Sequence, residues 1–434
     1  MEPSTHCRRF QWRNVLPQKA HNDTRKHIAA AAHRHTGVAG PVQISILPIG
    51  NTSLMAFQKD NTAQVSGKVF GSFHPVLSDL AADPGEFPVV GRQDGGGSSS
   101  AQYILMRGKD AEAIAITGIL IVCSVAIIIG DAAVSGILAW VSCITFKRAF
   151  LKGLLLLLLP PLVMAYGAWI GREKPQVKIV EITFGNLPES FDGYRLVHIS
   201  DIHARSYAKR QKSLKKVVNI INNQNADLIA FTGDLITLDA SELAAVKEIL
   251  AELNASDGII SVIGNHDYGI YSDPTHKNVK GKILSEVVTE ERSMGWNVLI
   301  DDHILIERGL DSIAVIGVQN TSPSRHFPSK GNLTKASAGT EGMFRILLTH
   351  DPMHWEREVV GKEYPLTLSG HTHAMQFSIF GWSPSSLIFK EYRGLYTKDD
   401  QHLYVNIGLG ETILPFRIGT RPEITLITLK KQSI

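Results

Sequence analysis

Five short polar clusters, all after residue 200, constrain this chain more than any other feature. They are Asp201-Ile-His203, Gly233-Asp234, Gly264-Asn-His-Asp267, Thr349-His-Asp351 and Gly370-His-Thr-His373. Four follow apolar, strand-like runs at Tyr194–Ser200, Leu228–Thr232, Ile259–Ile263 and Phe344–Leu348; the fifth follows the shorter Leu366–Ser369. Such spacing puts Asp, His and Asn side chains on loops at strand ends, where a rigid sheet can converge them.

Carboxylate, imidazole and amide oxygen together suit Mn, Fe or Zn and do not make a thiolate site. A shared carboxylate can bridge two ions, and a two-ion site clamps a phosphoryl group during in-line displacement. The expected first set is Asp201, His203 and His373, and the second is Asn265, His350 and His371, with Asp234 bridging. A hydroxide between the ions is the expected nucleophile, which excludes a covalent phospho-enzyme. His266 is left over as the proton donor to the leaving oxygen, with Asp267 expected to orient its ring. Each cluster alone reads as a polar turn or a chance histidine; their joint order behind strands points to the site.

The series D-x-H, G-D, G-N-H-D, H, G-H-x-H resembles the calcineurin-like metallophosphoesterase superfamily over about residues 176–430. Within it the chain looks most like the membrane-anchored, YkuE-like predicted phosphohydrolases. The resemblance implies an α/β fold, a four-layer α/β/β/α sandwich, preceded here by transmembrane helices. It implies a dinuclear site at one edge, with Mn favoured over Fe or Zn. Two departures stand out: Ala204-Arg205 after the first cluster, and Ala374 after the last, where glycine is common. Neither removes a ligand. Arg205, Tyr268 and His326 are candidate substrate contacts, while Arg417 is read as holding the last loop.

The βαβα rhythm continues between the clusters. Helices are expected at Ser213–Asn222, Ser241–Leu253 and Gly281–Met294. Strands are expected at Val177–Phe184, Asn297–Ile300, Ile304–Glu307, Ile313–Val318, Phe377–Ile379, Leu403–Ile407 and Ile424–Leu429. Pro328–Gly339 is a polar excursion.

Residues 106–172 are a different material. Ala113–Gly130, Ala132–Phe146 and Gly153–Gly171 are apolar runs in close succession, two of them near bilayer-spanning length. Two to three spans are expected. Arg107 and Lys109, then Lys147, Arg148 and Lys152, favour three spans with a cytoplasmic amino end and an extracytoplasmic catalytic domain, residues 176–434. If the middle run does not span, the parity reverses. Of three cysteines, Cys7, Cys123 and Cys143, none lies in the catalytic region, so no disulfide framework is supported. A net charge of +3 gives no footing for nucleic acid. Residues 1–105 are expected to be disordered, with a linker at Asp94–Ser100, or to precede a natural start at Met106.

The resulting expectation is a membrane-anchored phosphohydrolase acting on a phosphorylated small molecule, a lipid or an envelope polymer. The alternatives are a UDP-diacylglucosamine-type pyrophosphatase and a non-catalytic membrane-bound module that holds metal only for structure.

Overall fold

The computed structural model describes residues 44–49, 52–57, 109–141, 145–272, 280–412 and 414–433. The linker at 94–100 and the start at Met106 lie outside the described residues. By itself, the amino-terminal unit holds an antiparallel pair, β1 (Ile44–Ile49) and β2 (Thr52–Phe57), with Ile44 opposite Phe57.

Two six-stranded sheets form the larger unit. The first has the order β3 (Gln176–Phe184), β14 (Glu423–Lys431), β4 (Arg195–Ile199), β5 (Leu228–Phe231), β6 (Ile259–Ser261), β7 (Asn297–Val298). The second runs β12 (Gly394–Lys398), β13 (Gln401–Val405), β11 (Leu366–Ser369), β10 (Phe344–Leu348), β9 (Asp311–Gly317), β8 (Asp302–Arg308). β4, β5 and β6 are parallel neighbours, as are β9, β10, β11 and β13.

Side-chain alternation along each strand builds the layers. Leu196, Leu228 and Ile260 point between the sheets and meet Val315, Ile346 and Leu368. Their neighbours Val197 and Ile229 point the other way, onto Leu214, Val217 and Ile221 of helix α4 (Gln211–Asn222). On the far side, Ala314, Leu347 and Leu403 are covered by Leu333, Trp355 and Val359. The four layers are therefore helix, sheet, sheet and a thin outer cover of short turns.

Three expectations are corrected here. Ser241–Leu253 is not one helix: a 3-10 turn at Ala240–Ala245 gives way to the single turn α5 (Lys247–Leu250). Phe377–Ile379 joins neither sheet; it makes isolated bridges to Ile418 and Trp382. The three apolar runs form two helical stretches. Helix α1 (Lys109–Val141) fuses the first two, because Asp131 lies within it and accepts from Ser135 Oγ at 3.2 Å. α2 (Phe146–Gly153), a 3-10 stretch and α3 (Leu159–Trp169) make the second. Ala115–Val141 and Phe146–Glu173 are each long and apolar enough to cross a membrane.

Candidate metal centre

All five clusters arrive at the carboxyl ends of parallel strands, where open α/β sheets bind ligands. β4 delivers Asp201 and His203, β5 Asp234, and β6 Asn265 and His266. From the other sheet, β10 delivers His350 and β11 delivers His371 and His373. The strand ends turn sharply: Asp201, His203, Asp234, His371 and His373 all have left-handed φ, between 45° and 73°. That conformation is costly for such residues and clusters at functional sites. Close packing is equally demanding. A Cβ on Gly264 would strike the Asp234 carboxylate, and one on Gly370 would strike that of Asp201.

The side chains form two sets that share Asp234. In one, His373 Nε2 lies 3.2 Å from Asp201 Oδ1 and 3.1 Å from His203 Nε2. In the other, His350 Nε2 lies 3.0 Å from Asp234 Oδ2 and 3.2 Å from His371 Nδ1. Asp234 Oδ2 is also 3.9 Å from His203 Nε2, so one carboxylate faces both sets. Separations near 3 Å are those of neighbouring ligands on one ion with bonds of roughly 2.1 Å. Asn265 Oδ1 is buried with no hydrogen-bond partner. A buried orphan acceptor beside this N/O donor set fits a divalent metal.

Backbone carbonyls orient the rings. His203 Nδ1 faces Ile236 O at 3.2 Å, His350 Nδ1 faces Thr232 O at 2.7 Å, and His266 Nδ1 faces Thr237 O at 2.7 Å. Each bond turns Nε2 into the site, the outer-sphere arrangement usual for metal-binding histidines. Burial disfavours the charged form of His350, but Asp234 overrides it and raises its pKa to about 10. Burial, then the nearby His266 and His373, hold His203 well below its ordinary value.

Asp267 does not orient His266, contrary to expectation. Its carboxylate accepts from the backbone N–H groups of Asp234, Leu235, Ile236 and Gly264 at 2.9–3.2 Å. It fastens the β5 loop to the β6 loop. Burial and the Asp234 charge raise its pKa to about 7, against the pull of those amides.

The three expected substrate contacts separate. Tyr268 is mostly buried, and its hydroxyl donates to Gln319 Oε1 at 3.0 Å. Arg205 is partly buried, with its backbone N–H on Glu242 Oε2 at 3.2 Å. His326 is exposed, but its neighbour Phe327 sets its ring edgewise to His371 at 5.1 Å. Sequence reasoning missed Phe327, Phe389 (5.6 Å from the His371 ring) and Tyr271, which lies over His266 at 4.3 Å. No motif marks them. Arg417 is fully buried; it donates to Ile407 O and Gly410 O, and its Nη2 lies 3.3 Å from His373 Nδ1.

Residues 194–375 match the calcineurin-like phosphoesterase family. The metallophosphoesterase YkuE of Bacillus subtilis is 33% identical over 299 residues, covering 65% of this chain and 97% of that protein. The chain belongs to the calcineurin-like phosphoesterase family. Members of the family hydrolyse phosphoesters, and this chain is a metallophosphoesterase. A transmembrane protein with metallophosphoesterase domain from Danio rerio is 33% identical over 65% of this chain and 64% of its own length. The UDP-2,3-diacylglucosamine pyrophosphatase LpxG of Chlamydia trachomatis is 24% identical over 60% of this chain and 91% of its own length.

Proposed function

We propose that this phosphoesterase is anchored in a membrane and uses two divalent ions, Mn favoured, to hydrolyse a phosphate ester or pyrophosphate. Asp201, His203 and His373 would hold one ion; Asn265, His350 and His371 would hold the other; Asp234 would bridge. The observation that carries this is Asp234, whose single oxygen faces both histidine sets. When bound, the ions supply charge neutralisation at the phosphoryl oxygens and a more acidic water.

The protein's own groups do the rest. Water oxygen bonds to phosphorus while the bond to the leaving oxygen breaks. His266, as the imidazolium with its Nδ1–H donated to the Thr237 carbonyl and Nε2 aimed inward, gives its Nε2 proton to that oxygen and regains one shed by the attacking water. Asp267 keeps the two loops at fixed spacing through its four amide bonds. The aromatic rings of Tyr271, Phe327 and Phe389 pack against His266 and His371 at the site.

The anchor rests on two apolar helical stretches and the transmembrane relative. It favours a phosphate in or near the bilayer, and the pyrophosphatase relative makes a lipid-linked diphosphate the second reading. Two spans place both flanks on one side. Arg107, Lys109, Arg172, Lys174 and Lys178 flank the pair, against Lys147, Arg148 and Lys152 between the spans. That balance puts the catalytic domain on the cytoplasmic side, reversing the three-span expectation.

The test is His266→Ala. Turnover should fall roughly 10²–10⁴-fold with metal content unchanged. A variant with full activity removes His266 from the chemistry, and a native protein that binds metal but turns over no phosphate ester would favour the non-catalytic module.

A further inference from the structure

The segment after His373 leaves the site and makes an apolar tip that the hydrolytic chemistry does not use. Ile379 and Trp382 pair through two backbone hydrogen bonds of 2.9 and 3.0 Å, closing a two-residue turn at Phe380-Gly381. Both turn residues have positive φ, 48° and 87°, the geometry of a type I′ turn. Asn, Asp or Gly is the residue suited to the first position; here a phenylalanine occupies it with its ring wholly exposed. Ile379, Trp382 and Leu387 are exposed beside it. Four large apolar side chains on one short loop form a patch of the kind that marks an interaction surface.

The loop's base identifies the occupant. Ser378 N–H donates to Ile418 O at 2.7 Å, and Ile418 N–H donates to Gln376 O at 2.9 Å. The next residue back, Arg417, donates its N–H to Gly167 O in α3 at 3.2 Å. A Cβ at Gly167 would lie 2.8 Å from Ile418 Cγ1 and 3.2 Å from Arg417 O and Phe416 Cβ, so the strap packs closely on the helix. The apolar tip is thus tied, within one strap of backbone, to the carboxyl end of the second apolar helix. Exposed Trp169 and Tyr166 sit at that end, residue types enriched where a helix leaves a bilayer. Cations border both elements: Arg393 donates to Gly381 O at 2.6 Å, and exposed Arg421 donates to the carbonyls of Lys174 and Pro175. These suit lipid phosphates.

We propose that the Ile379–Leu387 loop is a membrane-docking surface that inserts its apolar tip into the lipid interface and holds the metal centre over phosphate carried by lipid. This rests on the membrane anchor proposed above. Ser383 Oγ donates to Ala374 O at 2.6 Å, one residue from His373, so docking of the tip fixes the height of the site above the lipid.

The test uses the full chain in phosphatidylcholine–phosphatidylglycerol vesicles, with Cys7, Cys123 and Cys143 replaced by alanine. A spin label is placed at Phe380→Cys, with Val125→Cys in α1 and the exposed Leu310→Cys as references. Collision with oxygen, enriched in lipid, is compared with collision with a water-soluble nickel chelate. The proposal expects the labels at positions 380 and 125 to favour oxygen and the label at 310 to favour nickel. A lipid-like label at 125 with a water-like label at 380 overturns the docking surface and leaves the anchor standing. Water-like labels at both overturn the anchor and the docking surface together. If the chain labelled at 380 does not reconstitute, Leu387→Cys reads the same loop with the same outcomes.

Discussion

The residues proposed to hold metal were brought together as expected, because their chemistry is written in residue type: Asp, His and Asn in five ordered clusters behind apolar strands. Their orienting partners were not legible, since the carbonyls of Thr232, Ile236 and Thr237 are backbone and carry no residue signature. Asp267 illustrates the gap. Its position after His266 suggested a ring partner, yet its carboxylate is saturated by four amides. Asp267→Asn would keep one acceptor oxygen and turn an NH2 group toward two of those N–H donors. Leaving two buried donors unpaired costs about 2–6 kcal/mol. Urea unfolding should therefore show a much lower midpoint, whereas a midpoint within error of wild type would remove Asp267 from the loop clamp.

At the level of elements, parallel strands buried on both faces read clearly as short apolar runs, and the sheet alternation followed. Helix continuity read poorly. Gly130-Asp131 looked like a break, but Asp131 gains the Ser135 hydroxyl and α1 runs through. Ser241–Leu253 has helical spacing, but Val246 leaves helical geometry at φ −129° and splits it. The edge strand β12 was missed because Gly394-Leu-Tyr-Thr-Lys398 has no apolar alternation to mark it, and none of its residues is buried. Helix α6 (Lys280–Ser293) carries a buried Glu291 that accepts from Ser261 Oγ in β6. Burial, then the Asp267 charge, raise its pKa well above 4.5. A carboxyl group with a raised folded pKa costs the fold stability as pH climbs through the unfolded value, because the unfolded chain then ionises more readily. Glu291→Gln keeps the shape without the ionisation. It should leave the protein more stable relative to wild type at pH 8 than at pH 4, read from unfolding at the two pH values. An equal effect at both would mean that Glu291 is not held neutral.

For the whole molecule, two apolar stretches lead directly into a sandwich whose proposed metal ligands come from both sheets. The apolar stretches were recognisable from composition; where they break was not, since that depends on which interruptions a helix absorbs. If both stretches span, as proposed, the catalytic domain is cytoplasmic. A reporter active only in the cytoplasm, fused after Ile434, should be active, and the opposite pattern from an extracytoplasmic reporter would restore the odd-span topology.

The central claim is that Asp234 joins two metal-holding sets into one hydrolytic centre. The most direct measurement is metal content and turnover of the full chain in detergent, stripped of metal and reloaded with Mn, Fe, Zn or Mg. Substrates would be a chromogenic phosphomonoester, a phosphodiester and a nucleoside diphosphate-sugar, with Asp234→Asn alongside. Turnover should return with about two ions per chain, and Asp234→Asn should lose both metal and activity. Full metal loading with no hydrolysis of any of the three, or an active Asp234→Asn, would contradict it.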